Sequence, residues 1–304
     1  MGSTAHIWVK AARLRTLPLS LSGIIIGNGI AFLQGNFSLL ICSFAILTTV
    51  SFQVLSNFAN DYGDGVKGTD NSNRIGPARV LQQGLLTPTV LKKGIVVTTL
   101  ISVILTFSLI AFSFSSNEWI EITLFLALGI TSIIAAIKYT VGTSAYGYMA
   151  LGDLFVFLFF GLLSVLGSYY LQTKQIEMYL LLPAISIGCL STAVLNLNNM
   201  RDLVNDKENN KTTIAVILGF TKAKYYHFGL LLTAIFSVVY FMSKEANTFW
   251  GFVFVPVLFP LFLHAIRILR TSENKELESE LKPVALTTFF LSIFVIISLY
   301  IDRL

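Results

Sequence analysis

An all-α, polytopic membrane bundle is the fold class this sequence predicts, and three observations predict it. Of 304 residues, 55% are hydrophobic and 12% charged, with a mean hydropathy of +0.75. That is more apolar surface than a soluble domain of this length can cover. The apolar residues fall in runs of about 20, the length at which a helix crosses a hydrocarbon core. None of the runs alternates polar with apolar, as the strands of a membrane barrel do. The whole chain, 1–304, reads as one domain.

The first run, 17–33, follows Lys10, Arg13 and Arg15 and carries Pro18 near its first turn, where a missing N–H is tolerated. No small-residue cleavage site stands out, so it is read as an uncleaved first helix. The second run, 37–58, leads into a long polar connection that lasts to about 89. Runs 90–113 and 119–137 are joined by a short turn of Ser115, Ser116, Asn117 and Glu118. A polar loop over 138–147 precedes the fifth run, 148–171. The sixth, 179–198, leads into a second long loop, 199–224. Runs 225–242, 249–268 and 284–301 complete nine helices.

Charge then sets the orientation. All but Lys174, Lys244 and Arg303 of the 21 Lys and Arg residues fall on the side that holds the N-terminus. So steep a bias puts that side in the cytoplasm. It also accounts for the net charge of +5 as topology rather than nucleic-acid binding. Cys42 and Cys189 lie within apolar runs and read as small core residues, not a disulfide. His6, His227 and His264 are scattered and show no ligand spacing, which argues against a His-held metal.

Two stretches break the apolar pattern. Residues 57–70 read N-F-A-N-D-Y-G-D-G-V-K-G-T-D at the end of the second run, and 198–211 read N-N-M-R-D-L-V-N-D-K-E-N-N-K at the end of the sixth. Asn57 and Asn198, and likewise Asp61 and Asp202, are 141 residues apart, which suggests a duplicated four-helix unit. On a helix Asn57, Asp61 and Asp64 share one face, as do Asn198, Asp202 and Asp206. Converging carboxylates repel unless a cation lies between them, and Mg2+ takes carboxylate and phosphate oxygens. Lys67, Arg74, Arg79, Arg201, Lys207 and Lys211 surround them. Acids for a metal and bases for bare oxygens describe a polyphosphate site. Against apolar helices, the substrate would have a charged head and a greasy tail. One such stretch could be a solvated helix end; two in one frame, on one side, argue for use.

At these residues the chain resembles the UbiA superfamily of intramembrane prenyltransferases. The family's motifs N-x-x-x-D-x-x-D and D-x-x-x-D read here Asn57, Asp61, Asp64 and Asp202, Asp206. Gln53, R-I-G-P-A-R-V-L-Q-Q-G over 74–84, Lys138-Tyr139, Tyr146-Gly147-Tyr148, Gly152, Phe159-Phe160-Gly161 and Lys211-Thr212 extend the resemblance over essentially the whole chain. They are most similar to the branch that prenylates 1,4-dihydroxy-2-naphthoate. Asp153 stands where that branch carries Glu after Gly.

The resemblance implies two Mg2+ ions held by Asn57, Asp61 and Asp64 on one side and by Asp202 and Asp206 on the other, binding the diphosphate of a polyprenyl diphosphate. Lys67, Arg201 and Lys211 would neutralise it. Tyr139 would stabilise or position a carbocation-like carbon. Asn60, Arg79, Lys138, Asp153 and Asn198 are candidates for the acceptor. Prenylation with loss of CO2 would give demethylmenaquinone. The setting would be a bacterial cytoplasmic membrane with the site facing inward, with no nucleic acid and no obligate protein partner.

Other acceptors of the superfamily, such as 4-hydroxybenzoate, homogentisate or a porphyrin, give the nearest rival readings. CDP-alcohol phosphotransferases use D-x-x-D-G-x-x-A-R, but Gly68 and Thr69 stand where that motif needs Ala and Arg. A cation-coupled transporter would hold its acids near mid-span. Here they sit at helix ends.

Overall fold

The computed structural model describes residues 4–304. Among them, nine helices are long and apolar enough to cross a membrane: α1 (Thr4–Leu33), α2 (Leu39–Lys67), α3 (Pro88–Ser113), α4 (Trp119–Lys138), α5 (Gly152–Thr173), α6 (Met178–Arg201), α7 (Ile214–Glu245), α8 (Phe249–Arg270) and α9 (Asn274–Asp302). The described residues hold no strand, only an isolated parallel bridge between Met149 and Thr212.

The expected apolar runs lie largely inside these helices; the differences are at their ends. α2 runs on to Lys67, α7 starts at Ile214 and α9 at Asn274, all at the acidic end of the bundle. Hydropathy marks only the part of a helix that must lie in lipid, whereas backbone hydrogen bonding continues beyond it. Local chemistry sets the true ends. Ser38, Thr87 and Thr213 cap α2, α3 and α7 by accepting the N–H of Ile41, Val90 and Val216. Gly68 ends α2 at φ 79, returning its N–H to Asp64 and Gly65. α1 is interrupted at Arg13, and α7 kinks at Gly219, where φ is 72.

α6 is the central helix. It packs against α5, α7 and α9, and 61% of its apolar window is buried against 22% for α4 and α8. The middle of α5, Phe157–Gly167, is π-helical, and Gly161 lies there against the α6 backbone. A Cβ on Gly161 would stand 2.6 Å from Gly188 Cα and 2.7 Å from the Ala184 carbonyl oxygen. Backbone cannot yield as a flexible side chain can. Gly161→Val is therefore expected to force α5 from α6 at a cost of about 1–3 kcal/mol. A thermal midpoint in detergent that matches wild type would contradict this packing.

One sequence expectation is corrected here. His227 on α7 and His264 on α8 are not scattered: their Nε2 atoms are 2.8 Å apart. His264 Nδ1 lies 2.7 Å from Glu280 of α9, whose other oxygen accepts from Arg267 at 3.2 Å. With Nδ1–H given to Glu280, a neutral His264 accepts the His227 Nε2–H. The pair and Glu280 tie three helices together. Spacings of 37 and 16 residues gave no local pattern from which to read it. Cys42 and Cys189 are free thiols.

Candidate active site

Both acidic stretches lie at the ends of their helices, and each chain turns back over its own end. The Asp64 carbonyl oxygen accepts the N–H of Thr69 and Asp70, which folds Asp70 over the C-terminus of α2. α6 stops at Arg201, and after a break at Asp202 the short helix Leu203–Glu208 carries Asp206. Asn205 donates to the Thr69 carbonyl at 2.8 Å, joining the two turns. A third loop closes on them: Ala150 N–H bonds the Thr212 carbonyl and Thr212 N–H that of Tyr148. Thr140, fully buried, donates to the Ala59 carbonyl beside Gly63.

These turns bring four carboxylates together through three cations. Lys211 Nζ stands 3.9 Å from Asp64 and 3.6 Å from Asp206. Arg74 Nε is 3.2 Å from Asp70 and 3.5 Å from Asp202. Arg79 lies 3.6 Å from Asp70 and 4.0 Å from Asp64. Tyr148 gives its hydroxyl proton to Asp64 at 2.7 Å, so Thr69 donates to Tyr148. Lys67 lies 3.9 Å above the Tyr148 ring and Lys211 5.5 Å from it.

Burial and charge work against each other in this network. Desolvation pushes Asp206 up to about 6, with Lys211 pulling the other way. Burial opposes the charge on Lys211, yet Asp64 and Asp206 hold it well above the usual ammonium range. Asp202 would also rise on burial, but its bonds to Arg201 hold it below the usual carboxylate range. Burial raises Asp70 against the pull of Arg79. Both Asp70 oxygens, and Nε and Nη1 of Arg79, are buried without a hydrogen bond. Such groups are costly unless a ligand completes them.

The expected residues divide into three sets. Asp64, Asp202, Asp206, Lys67 and Lys211 stand in or against the network, as does Arg79, which faces acids rather than an acceptor. Asn57, Asn60, Tyr139 and Asn198 line a largely apolar cavity of about 350 Å³ between the helices. The Tyr139 ring is fixed there: a Cβ on Gly147 or Gly152 would stand 3.1 or 3.2 Å from it. Burial, reinforced by Asp153 and Asp64, raises its phenol above the usual range and keeps it protonated.

The remaining residues are placed differently from expectation. Asp61 accepts the N–H of Val80 and Leu81 at 3.2 and 3.4 Å, so it also anchors the loop after α2. The Asn57 amide nitrogen bonds the Ala12 carbonyl at 2.8 Å and Thr16 at 3.1 Å, away from the bridged carboxylates. Arg201, expected at the diphosphate, is paired with acids on two sides. It is 1% exposed, and its guanidinium is held by Asp202 and Glu278. Lys138 is exposed and outside the cavity lining. Asp153 is not among the cavity-lining residues and accepts from Tyr226 at 3.1 Å.

Asp70 and Tyr148 are the site residues that sequence reasoning left out, whereas Arg74 was already placed among the cations around the acids. Asp70 closed the first acidic stretch, but only the turn at Gly68 brings it back to the α2 terminus.

Among the described residues, no three His, Cys, Asp or Glu side chains converge on a single point. Lys211, Arg74 and Arg79 stand between the carboxylates instead. The donor set is nonetheless all oxygen, and the unbonded Asp70 carboxylate suits a hard divalent ion.

The UbiA prenyltransferase family model matches residues 20–297. The chain is 42% identical to 1,4-dihydroxy-2-naphthoate octaprenyltransferase of Escherichia coli over 83% of this chain and 82% of that one. It is 39% identical to the Haemophilus influenzae protein of the same name, over 97% and 96%. Its fold matches an apo UbiA homologue from Aeropyrum pernix over both whole chains, with TM-score 0.65 and 13% identity. A UbiA homologue from Archaeoglobus fulgidus bound to DMAPP and Mg2+ matches with TM-score 0.60 and 13% identity, over 96% of this chain and 99% of that one.

Proposed function

This chain belongs to the UbiA prenyltransferase family, and from that membership we propose that it transfers a polyprenyl group from a polyprenyl diphosphate to 1,4-dihydroxy-2-naphthoate. CO2 and diphosphate leave, and the product is demethylmenaquinone in its quinol form. The observation that carries the reading is the set of four carboxylates bridged by three cations beside a long apolar cavity. The charge bias of the loops supports a cytoplasmic site in a bacterial inner membrane.

Asp64 with Asp206, and Asp70 with Asp202, would hold Mg2+, since each pair already shares one cation. When bound, Mg2+ supplies Lewis-acid stabilisation of the leaving diphosphate. On substrate binding, Lys211, Arg74 and Arg79 exchange carboxylate partners for diphosphate oxygens. The unbonded Nε and Nη1 of Arg79 are the donors most in need of them. The prenyl tail enters the apolar cavity, past Phe155 and Phe159. Tyr139 presents its ring to the allylic carbon, and its protonated phenol adds no competing nucleophile. Asn60 and Asn198 border the same cavity and orient the acceptor hydroxyls.

Asp206 must lose its proton before it can hold a cation. Apparent Mg2+ affinity is therefore expected to fall as pH drops below about 6, by at most about tenfold per pH unit, and to be flat above. Mg2+ titrations between pH 5 and 8 check this, and Asp206→Asn should remove the slope.

The acceptor is tested with purified protein, Mg2+, a polyprenyl diphosphate and a panel of 1,4-dihydroxy-2-naphthoate, 4-hydroxybenzoate and homogentisate. The expected product has the mass of the naphthoate plus prenyl minus CO2. Prenylation of another panel member alone would replace the acceptor. No prenylated product at all would sink the reading.

A further inference from the structure

A second cavity, of about 340 Å³, is lined by Lys10, Arg13, Arg15, Arg74 and Arg79, with Asp61 as its one carboxylate. Arg13 borders both this cavity and the large apolar one. The other cations are engaged: Lys10 on Gln83, Arg15 near Glu278, Arg74 and Arg79 on the carboxylate network. Among the described residues, Arg13 alone of the five has no side-chain hydrogen bond or ion pair. Asp61 already accepts two backbone N–H groups.

The backbone at Arg13 points the same way. It lies at φ 53 and ψ 54, a left-handed conformation unfavourable for a residue with a side chain, and it interrupts the helix after Ala12. Asn57 bonds Ala12 on one side of the break and Thr16 on the other, and Thr16 Oγ1 donates to the Arg13 carbonyl at 3.0 Å. A strained residue held from both sides, with a guanidinium between two cavities that has no hydrogen bond and only the field of Asp61 to offset its neighbouring cations, is built to meet an anion.

We infer that Arg13 binds the carboxylate of the aromatic acceptor at the passage between the two cavities, and that Asn57 is a positioning residue for it. This rests on the proposed prenyl transfer to an aromatic acid. A single guanidinium matches a carboxylate in two-point geometry. Arg13 has no ion pair with Asp64, Asp70, Asp202 or Asp206, which would surround a diphosphate, but it shares a cavity with Asn60, Tyr139 and Asn198.

In the reaction, the allylic C–O bond breaks and its electron pair leaves with diphosphate. The ring carbon bearing the carboxylate forms the new C–C bond. The ring–carboxylate bond then breaks, and its pair restores the aromatic ring as CO2 departs. The product has lost the group that Arg13 holds. Prenyl transfer therefore releases it toward the lipid.

The test measures direct binding and turnover in wild type, Arg13→Gln and Arg13→Lys. Binding of 1-hydroxy-2-naphthoate, a non-reacting carboxylate probe, is compared with that of 1-naphthol. Arg13→Gln should weaken the carboxylate probe and raise the acceptor KM by about ten- to a hundredfold, with Lys restoring part. The 1-naphthol affinity and the prenyl diphosphate KM should not move. Equal weakening of both probes, or a raised prenyl diphosphate KM, would overturn the assignment. Wild-type protein that prenylates no aromatic acid would instead defeat the proposed reaction, while an Arg13-dependent affinity for the carboxylate probe would still uphold the site.

Discussion

Asp206→Asn is expected to lower the rate of prenyl transfer by about 10²–10³-fold in a protein that still folds. Asp206 is 2% exposed, and among the described residues its ion-pair partner is Lys211. Burial pushes it up to about 6, so in the metal-free protein its charge is poorly stabilised and a neutral amide of the same shape costs the fold little. The charge is needed only when a divalent ion and a diphosphate are present. Asp64→Asn should behave alike, because Asp64 shares the same lysine. If the two carboxylates act on one ion, the double variant should be little worse than either single one. Single-turnover rates with Mg2+ in excess measure this directly. Independent, multiplicative losses would mean that the two acids serve separate ions.

Lys211→Met should have the second large effect, on stability. Removing this ammonium leaves Asp206 without its cation and Asp64 with only the more distant Arg79 in a buried site, a change worth about 3–5 kcal/mol. Mg2+ can take the place of the lost charge. The thermal midpoint of the variant should therefore rise more on Mg2+ addition than that of wild type. A variant insensitive to Mg2+ would remove Lys211 from the ion's surroundings.

The nine helices were legible because apolar run length is a property of each segment alone. The helix ends were not, since α2 stops where Gly68 permits a left-handed turn, and its last residue, Lys67, lies nine residues past the end of the apolar run at Phe58. The paired acids were legible through their matching interval. What hid the rest was distance in sequence. Asp70 joins the site only because the chain folds back on Asp64, and Tyr148 only because its loop is stitched to Thr212. The tie between Arg201 and Glu278 spans 77 residues and was hidden for the same reason. Asn57 belonged to the family pattern, but its contacts to Ala12 and Thr16 tie it to the broken first helix. The strain at Arg13 leaves no trace in a string of residues.

The central claim is that the carboxylates and cations at the ends of α2 and α6 form one Mg2+-dependent diphosphate clamp. It is tested most directly by titrating a non-cleavable prenyl thiolodiphosphate into wild type and into Asp206→Asn, with and without Mg2+. Tight binding that requires Mg2+ in wild type, and is lost in Asp206→Asn, is the predicted result. Binding equally tight without Mg2+, or unchanged by the substitution, would contradict it.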